Sequence, residues 1–296
     1  NTPVGLDNVK VYKVQGGVSS GTSQETEPEP SKNNFGAPLW TYEDFNINPI
    51  PTEPVKITAP AAGDDGTIYV SSYDRVGNWH NAKVHAINPD GTFKWASPEL
   101  ESASVTAPAV DKNGTIYVIS HYTLYAINPM DGSFLWTWEV PDNLHFQISQ
   151  LTLGDDGKIF CATVGSGAYH RQIFAINSDG RKLWQHEVTS KISGLTVGKE
   201  GTLFAYWNPK GNGHIFALNP ESGNKIWSTD IEGYVNNRSS MAIAPDGHLV
   251  VSQSGPEKLL KLNAQNGEFI WQVDAPASYP AISPNGHIYL MVRDLY

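Results

Sequence analysis

Residues 105–138 contain four short apolar runs: Val105-Thr106-Ala107-Pro108-Ala109-Val110, Thr115-Ile116-Tyr117-Val118-Ile119, Leu124-Tyr125-Ala126-Ile127 and Phe134-Leu135-Trp136-Thr137-Trp138. Asp111-Lys112-Asn113-Gly114 separates the first two, and Asn128-Pro129-Met130-Asp131-Gly132 the last two. Asx-Gly between alternating apolar runs marks a hairpin turn, because glycine supplies a positive φ and Asn or Asp tolerates one. The stretch therefore predicts a four-stranded meander, with strands A to D in chain order.

The same pattern recurs outward from this stretch. Turn glycines feeding a strand stand at 66, 114, 157, 201, 247 and 286, spaced 48, 43, 44, 46 and 39 residues apart. A strand ending in Asn recurs at Ile87-Asn88, Ile127-Asn128, Ile176-Asn177, Leu218-Asn219 and Leu262-Asn263. A glycine and a tryptophan four residues beyond it follow each time: Gly91/Trp95, Gly132/Trp136, Gly180/Trp184, Gly223/Trp227 and Gly267/Trp271. A four-stranded sheet repeated at this period is a propeller blade. One such sheet cannot bury both faces alone, so blades must pack on one another.

Six B-strand turns but five Asn-to-Trp units leave one blade unfinished, ending after strand B near Val292. Its missing strands are expected at the other end of the chain. Tyr12-Lys13-Val14-Gln15 aligns with Tyr125-Ala126-Ile127-Asn128, and Pro38-Leu39-Trp40-Thr41-Tyr42 supplies a D strand. The expectation is an all-β, six-bladed propeller forming one domain over 1–296, closed by N-terminal strands so that no raw sheet edge remains. Between those strands, residues 16–34 are polar, acidic and Pro-bearing, and predict a mobile loop.

Bulk properties narrow the function. The 296-residue chain carries a net charge of −10, which repels phosphate backbones and anionic lipid surfaces, so no nucleic acid is expected. No run approaches 18 apolar residues, so no membrane span is expected. The chain opens at Asn1 without a signal peptide, as a cytosolic or a trimmed mature protein would. The single cysteine, Cys161, excludes an intramolecular disulfide, Cys-rich zinc sites and CxxCH haem attachment, and its place in an alternating strand predicts a buried apolar side chain.

The spacing Ala126-x-Asn128-x3-Gly132-x3-Trp136, repeated at Ala217/Asn219/Gly223/Trp227, resembles the PQQ-like repeat. The units at Ala86 and Ala175 are one residue shorter, and Lys261 replaces the alanine in the fifth. The resemblance implies that the repeat tryptophans, with Trp40, dock between neighbouring blades. The family includes quinone-dependent dehydrogenases and a scaffolding lipoprotein of the outer-membrane barrel assembly machinery. The dehydrogenases have eight blades and an adjacent cysteine pair, which this chain lacks; no cofactor is expected, and the scaffold type is the nearer likeness.

Gly-x-Ser-x-Gly, P-loop, Gly-x-Gly-x-x-Gly and His-Glu-x-x-His motifs are absent. In a propeller, A–B and C–D turns share one face, and here they are tight and uniform. The B–C loops and D–A crossovers share the other, and here they are irregular: 71–81, 164–171, 206–214, 142–146 and 233–238. Loops on a rigid scaffold are where sites concentrate. Trp79 and Trp207 lie outside the docking register, and with Asn78, Tyr169, Asn208, His145, Tyr234 and Arg238 they are the candidate ligand-binding residues. Exposed aromatics among polar neighbours suit sugar rings or peptide segments. His80, His121, His145, His170 and His214 map to the same face without the sequence spacing of a metal site, so no metal is expected.

Three functions are compatible with this reading. One is a non-catalytic binding or scaffold propeller, monomeric, secreted, periplasmic or at a bacterial surface, with a glycan or protein as partner. The second is a polysaccharide lyase or hydrolase using His80, Tyr73, Arg75, His170 and Arg171 as acid, base and charge stabilisers. The third is assembly through an exposed D-strand edge or the apolar rim.

Overall fold

The computed structural model describes residues 9–11, 39–42, 55–76, 79–102, 105–141, 147–164, 171–207, 212–232, 241–254, 256–275 and 280–290. All regular elements among them are strands. At the N-terminus, β1 (Val9–Val11) pairs antiparallel with β2 (Trp40–Tyr42). Blade 1 holds β3 (Lys56–Ile57), β4 (Ala61–Ala62), β5 (Ile68–Val76), β6 (Trp79–Ile87) and β7 (Phe93–Ala96). Blade 2 holds β8 (Ala109–Val110), β9 (Ile116–Ser120), β10 (Thr123–Ile127) and β11 (Phe134–Glu139). Blade 3 holds β12 (Gln147–Leu153), β13 (Ile159–Val164), β14 (Arg171–Ile176) and β15 (Lys182–Val188). Blade 4 holds β16 (Ile192–Val197), β17 (Leu203–Trp207), β18 (Gly213–Leu218) and β19 (Lys225–Ile231). Blade 5 holds β20 (Met241–Ile243), β21 (Leu249–Ser254), β22 (Glu257–Leu262) and β23 (Phe269–Asp274), and β24 (Ala281–Ile282) pairs with β25 (Ile288–Tyr289) after it.

Each blade is the expected antiparallel meander. Strand A departs from the expected continuous run in blades 1 and 2. There Pro60 and Pro108, which have no N–H to give the ladder, split it into β3 and β4, or into a lone Val105–Ser120 bridge followed by β8. In blades 3 and 4 the same strand stays whole but bulges, between Ile148 and Gln150 and between Ile192 and Gly194.

The core is a set of seams between blades. Six buried apolar clusters are described, and each spans the facing sheets of two neighbours; Phe204, Tyr206, Leu249, Val251 and Leu260, for example, fill the seam between blades 4 and 5. Cys161 is fully buried in one of them, and burial pushes its thiol up to about 12. The seams are pinned by the tryptophans, as the resemblance implies. The indole N–H of Trp40 donates to the Pro89 carbonyl at 2.9 Å, Trp95 to Pro129 at 2.9 Å, Trp136 to Ser178 at 2.8 Å, Trp184 to Pro220 at 2.8 Å and Trp227 to Ala264 at 2.9 Å. Each acceptor directly follows the Asn that ends strand C in the next blade. The ring lies over that blade's turn glycine, where a Cβ would come within 2.4 to 2.8 Å of the indole.

A bulge in strand D aims each ring. Ala126 pairs with Trp136 but Ile127 pairs with Phe134, so Leu135 has no partner. Lys94, Leu183, Ile226 and Ile270 are skipped in the same way. The extra residue twists the strand locally, and its side chain turns outward, so Leu135, Leu183, Ile226 and Ile270 are all exposed.

The terminal strands differ from expectation in register. Trp40 pairs with Val11, whereas repeat tryptophans pair with the residue two before the Asn. The pairing thus sits two residues earlier than the Tyr12-to-Gln15 alignment expects, and residues 12–15 lie outside the described ones. No pairing between β1 and β25 is present among the described residues, and the loop expected at 16–34 lies outside them.

Candidate functional site

The irregular face is built first from blade 1. Residues 71–81 were expected to form a loop; the structure places most of them in two nine-residue strands, β5 and β6, in unbroken register from Ile68↔Ile87 to Val76↔Trp79. The run is rich in aromatic and β-branched residues, and the sequence Gly77-Asn78 is of the type that favours two-residue turns, which suits a long hairpin. β5 has four residues more than the five-residue β9, a projection of about 13 Å at strand rise. The register brings Tyr73 opposite Ala82, Arg75 opposite His80 and Val76 opposite Trp79, so four candidate residues share one hairpin. The Tyr73 ring is half-buried against the seam between blades 1 and 2. Asn78 lies outside the described residues.

Blade 4 supplies the second cluster. Trp207 ends β17 and faces His214 across the hairpin. Their rings stack, with centroids 5.4 Å apart and planes inclined by 21°, and Phe216 lies 5.1 Å from the indole. Trp207 was expected to be exposed; instead it is half-buried against the seam between blades 3 and 4. Its Nε1 is buried and has no hydrogen-bond partner among the described residues. His214 Nδ1 lies 2.5 Å from an oxygen of Asp230, its cross-strand neighbour in β19. A carboxylate thus orients an imidazole at the edge of an aromatic plate, an arrangement suited to stacking and hydrogen bonding. Asp230 is absent from the sequence-derived candidates; its signal is positional, because the C–D register places it opposite His214.

Blade 2 contributes a two-residue turn, His121-Tyr122. His121 is the one described non-glycine residue with positive φ, at 55°. Its ring lies against Tyr122, with centroids 3.5 Å apart, and Tyr122 is exposed. Burial holds the His121 imidazole below its usual range despite the opposing pull of Glu101. In blade 3, Arg171 opens β14 opposite Val188 and is half-buried. Tyr169, His170, Asn208, His145, Tyr234 and Arg238 lie outside the described residues. Among the described residues no three His, Cys, Asp or Glu side chains are grouped as a metal site requires.

Comparison with known proteins agrees with this architecture. A family model described as outer membrane protein assembly factor BamB matches residues 31–190 and again 170–291. A protein named outer membrane protein assembly factor BamB, from Nitrosomonas eutropha, is 32% identical over 105 residues, which is 36% of this chain and 22% of that relative. The match thus spans about a fifth of the relative's length. Among solved structures, the Dos1 propeller superposes with a TM-score of 0.63 at 11% identity, over 79% of this chain and 64% of that one. Virginiamycin B lyase from Staphylococcus aureus gives a TM-score of 0.57 at 16% identity, over 82% and 90%. At these identities both likenesses concern the fold alone. The family matches together span residues 31–291, so the chain belongs to the PQQ-like repeat propellers of the family described as outer membrane protein assembly factor BamB.

Proposed function

We propose that this chain is a non-catalytic scaffold propeller, monomeric and extracytoplasmic, that holds a protein partner on its B–C/D–A face. The observation that carries the reading is the β5–β6 hairpin, which projects from blades pinned seam by seam and brings Tyr73, Arg75, Trp79 and His80 into one register. A rigid strand pair holds contact residues at low entropic cost. The family description as an assembly factor favours a protein over a glycan. The proposal takes in Arg171 of blade 3 and Trp207 of blade 4 and, on the sequence alone, Tyr169, His170, Asn208, His145, Tyr234 and Arg238.

Photo-crosslinking in intact bacterial envelopes tests this. A benzoylphenylalanine at Asn78 is expected to yield a protein adduct that Trp79→Ala abolishes, while the same group at Thr137 on the rim yields none. Adducts from position 137 alone would overturn the proposal in favour of rim assembly. A glycan-array signal lost in Trp79→Ala, with no protein adduct, would replace the protein by a glycan.

A further inference from the structure

The tight-turn face is uniform in sequence but not in shape. At two seams, between blades 1 and 2 and between blades 4 and 5, the A–B turn and strand B of one blade, its bulge residue, and the A–B and C–D turns of the next surround a recess. Between blades 1 and 2 this recess measures about 260 Å³. Lys94, the bulge residue there, folds over it and donates to Asp65 at 3.2 Å and to Thr67 at 2.9 Å. Between blades 3 and 4, Lys158 reaches across the seam to Glu221 at 2.8 Å while also bonding Asp156. Between blades 4 and 5 both lysines are missing. Ile226 takes the place of Lys94, Thr202 that of Lys158, and Gln265 that of Glu221. The recess there opens to about 490 Å³.

This size lies within the range of ligand sites. The polar and apolar groups indicate what it takes. Ile226, exposed for 49% of its surface, and Ala264 give an apolar wall. Lys199 and Glu200 stand at the rim with Asp246, which is bonded by Lys261, so two cations balance two carboxylates. Lys199 is moreover turned onto the Pro245 carbonyl. A net-neutral rim around an apolar wall attracts neither an anion nor a cation. Thr202, His248 and Gln265 supply the donors and acceptors that a peptide backbone needs.

We infer that the seam between blades 4 and 5 is a second binding site, which receives one leucine- or phenylalanine-sized side chain of an uncharged protein segment. The inference rests on reading the chain as a protein-binding scaffold, but it concerns the face opposite the hairpin. Its test uses the purified full chain and small probes, so it can fail while crosslinking from position 78 succeeds, and the reverse.

The probes are the N-acetyl methylamides of leucine, phenylalanine and alanine, followed by amide chemical shifts of the 15N-labelled protein. The leucine and phenylalanine probes are expected to shift resonances of residues 198–202 and 246–248, and the alanine probe is not. Thr202→Lys with Gln265→Glu rebuilds the plug of the neighbouring seam; it is expected to keep the unfolding midpoint while weakening both probes by about tenfold or more. Ile226→Lys, which mimics the other plug, is expected to do the same and serves if the first variant does not fold. Equal shifts from the alanine probe, shifts centred elsewhere, or undiminished binding in a folded plug variant would overturn the inference.

Discussion

His85 is 2% exposed in β6, with its Nε2 2.7 Å from the Ser72 hydroxyl. Burial first, and the nearby Lys83 second, bring its pKa down from 6.5 to about 4. The folded state therefore binds fewer protons than the unfolded chain between those two values. Stability is full above pH 6.5, falls as pH drops through that window, and levels off below about 4. The loss amounts to about 3 kcal/mol at the acid end. Urea unfolding at pH 7.5 and pH 4.5 is expected to show most of it, and His85→Gln is expected to flatten the difference. At the same scale, Trp79 and Trp207 look alike in the sequence, since both stand outside the docking register. Spacing shows that a residue leaves the repeat but not what packs on it; Trp207 lies against the Ile173–Trp184–Phe216 cluster because strand B runs on to its position.

Strands and turns are the level at which the sequence is most legible. Each Asx-Gly turn announces a backbone that only a few residue types adopt, and a tryptophan of fixed offset announces a seam. What spacing conceals is strand length: Ser71-to-Asn81 reads as a loop beside the short B strands of other blades, although Gly77-Asn78 can turn a longer hairpin. The D-strand bulge is equally hidden, because it is a property of pairing rather than of residue type. Bulge and turn glycine act together, and substitution separates their contributions. Gly180→Ala meets both a φ of +80° and the Trp136 ring, whose nearest atom would lie 2.8 Å from the new Cβ; the combined strain and overpacking are expected to cost roughly 3 kcal/mol. Gly286 has a similar φ of +86° with nothing within 4 Å, so Gly286→Ala is expected to cost only about 1 kcal/mol. Paired urea titrations compare the two; equal losses would mean that the tryptophan contact is not tight.

At the scale of the whole molecule, stability is a property of the seams, and a ring has no weak end only if it closes. Trp40 is docked on blade 1, and Ile282, Ile288 and Leu290 pack with Trp271 against blade 5, so the two terminal strand pairs flank the blades they are expected to join. Six blades require the two pairs to join into one sheet; among the described residues they are separate sheets. In complete blades the strand C residue opposite the tryptophan faces a set position in strand B, as Ala126 faces Tyr117. By that rule Val11, opposite Trp40, is expected to face Tyr289. Cysteines at those two positions are therefore the decisive probe, and Cys161, fully buried with its thiol pushed up to about 12, does not compete for them. Val11→Cys with Tyr289→Cys is expected to form a disulfide spontaneously in air, since directly opposed strand residues have Cβ atoms about 4.5–5.5 Å apart, close to disulfide reach, and to raise the urea midpoint by tying the chain into one long loop. Two thiols that stay free in the folded protein, titrating fully without denaturant, would contradict closure by the N-terminal strands.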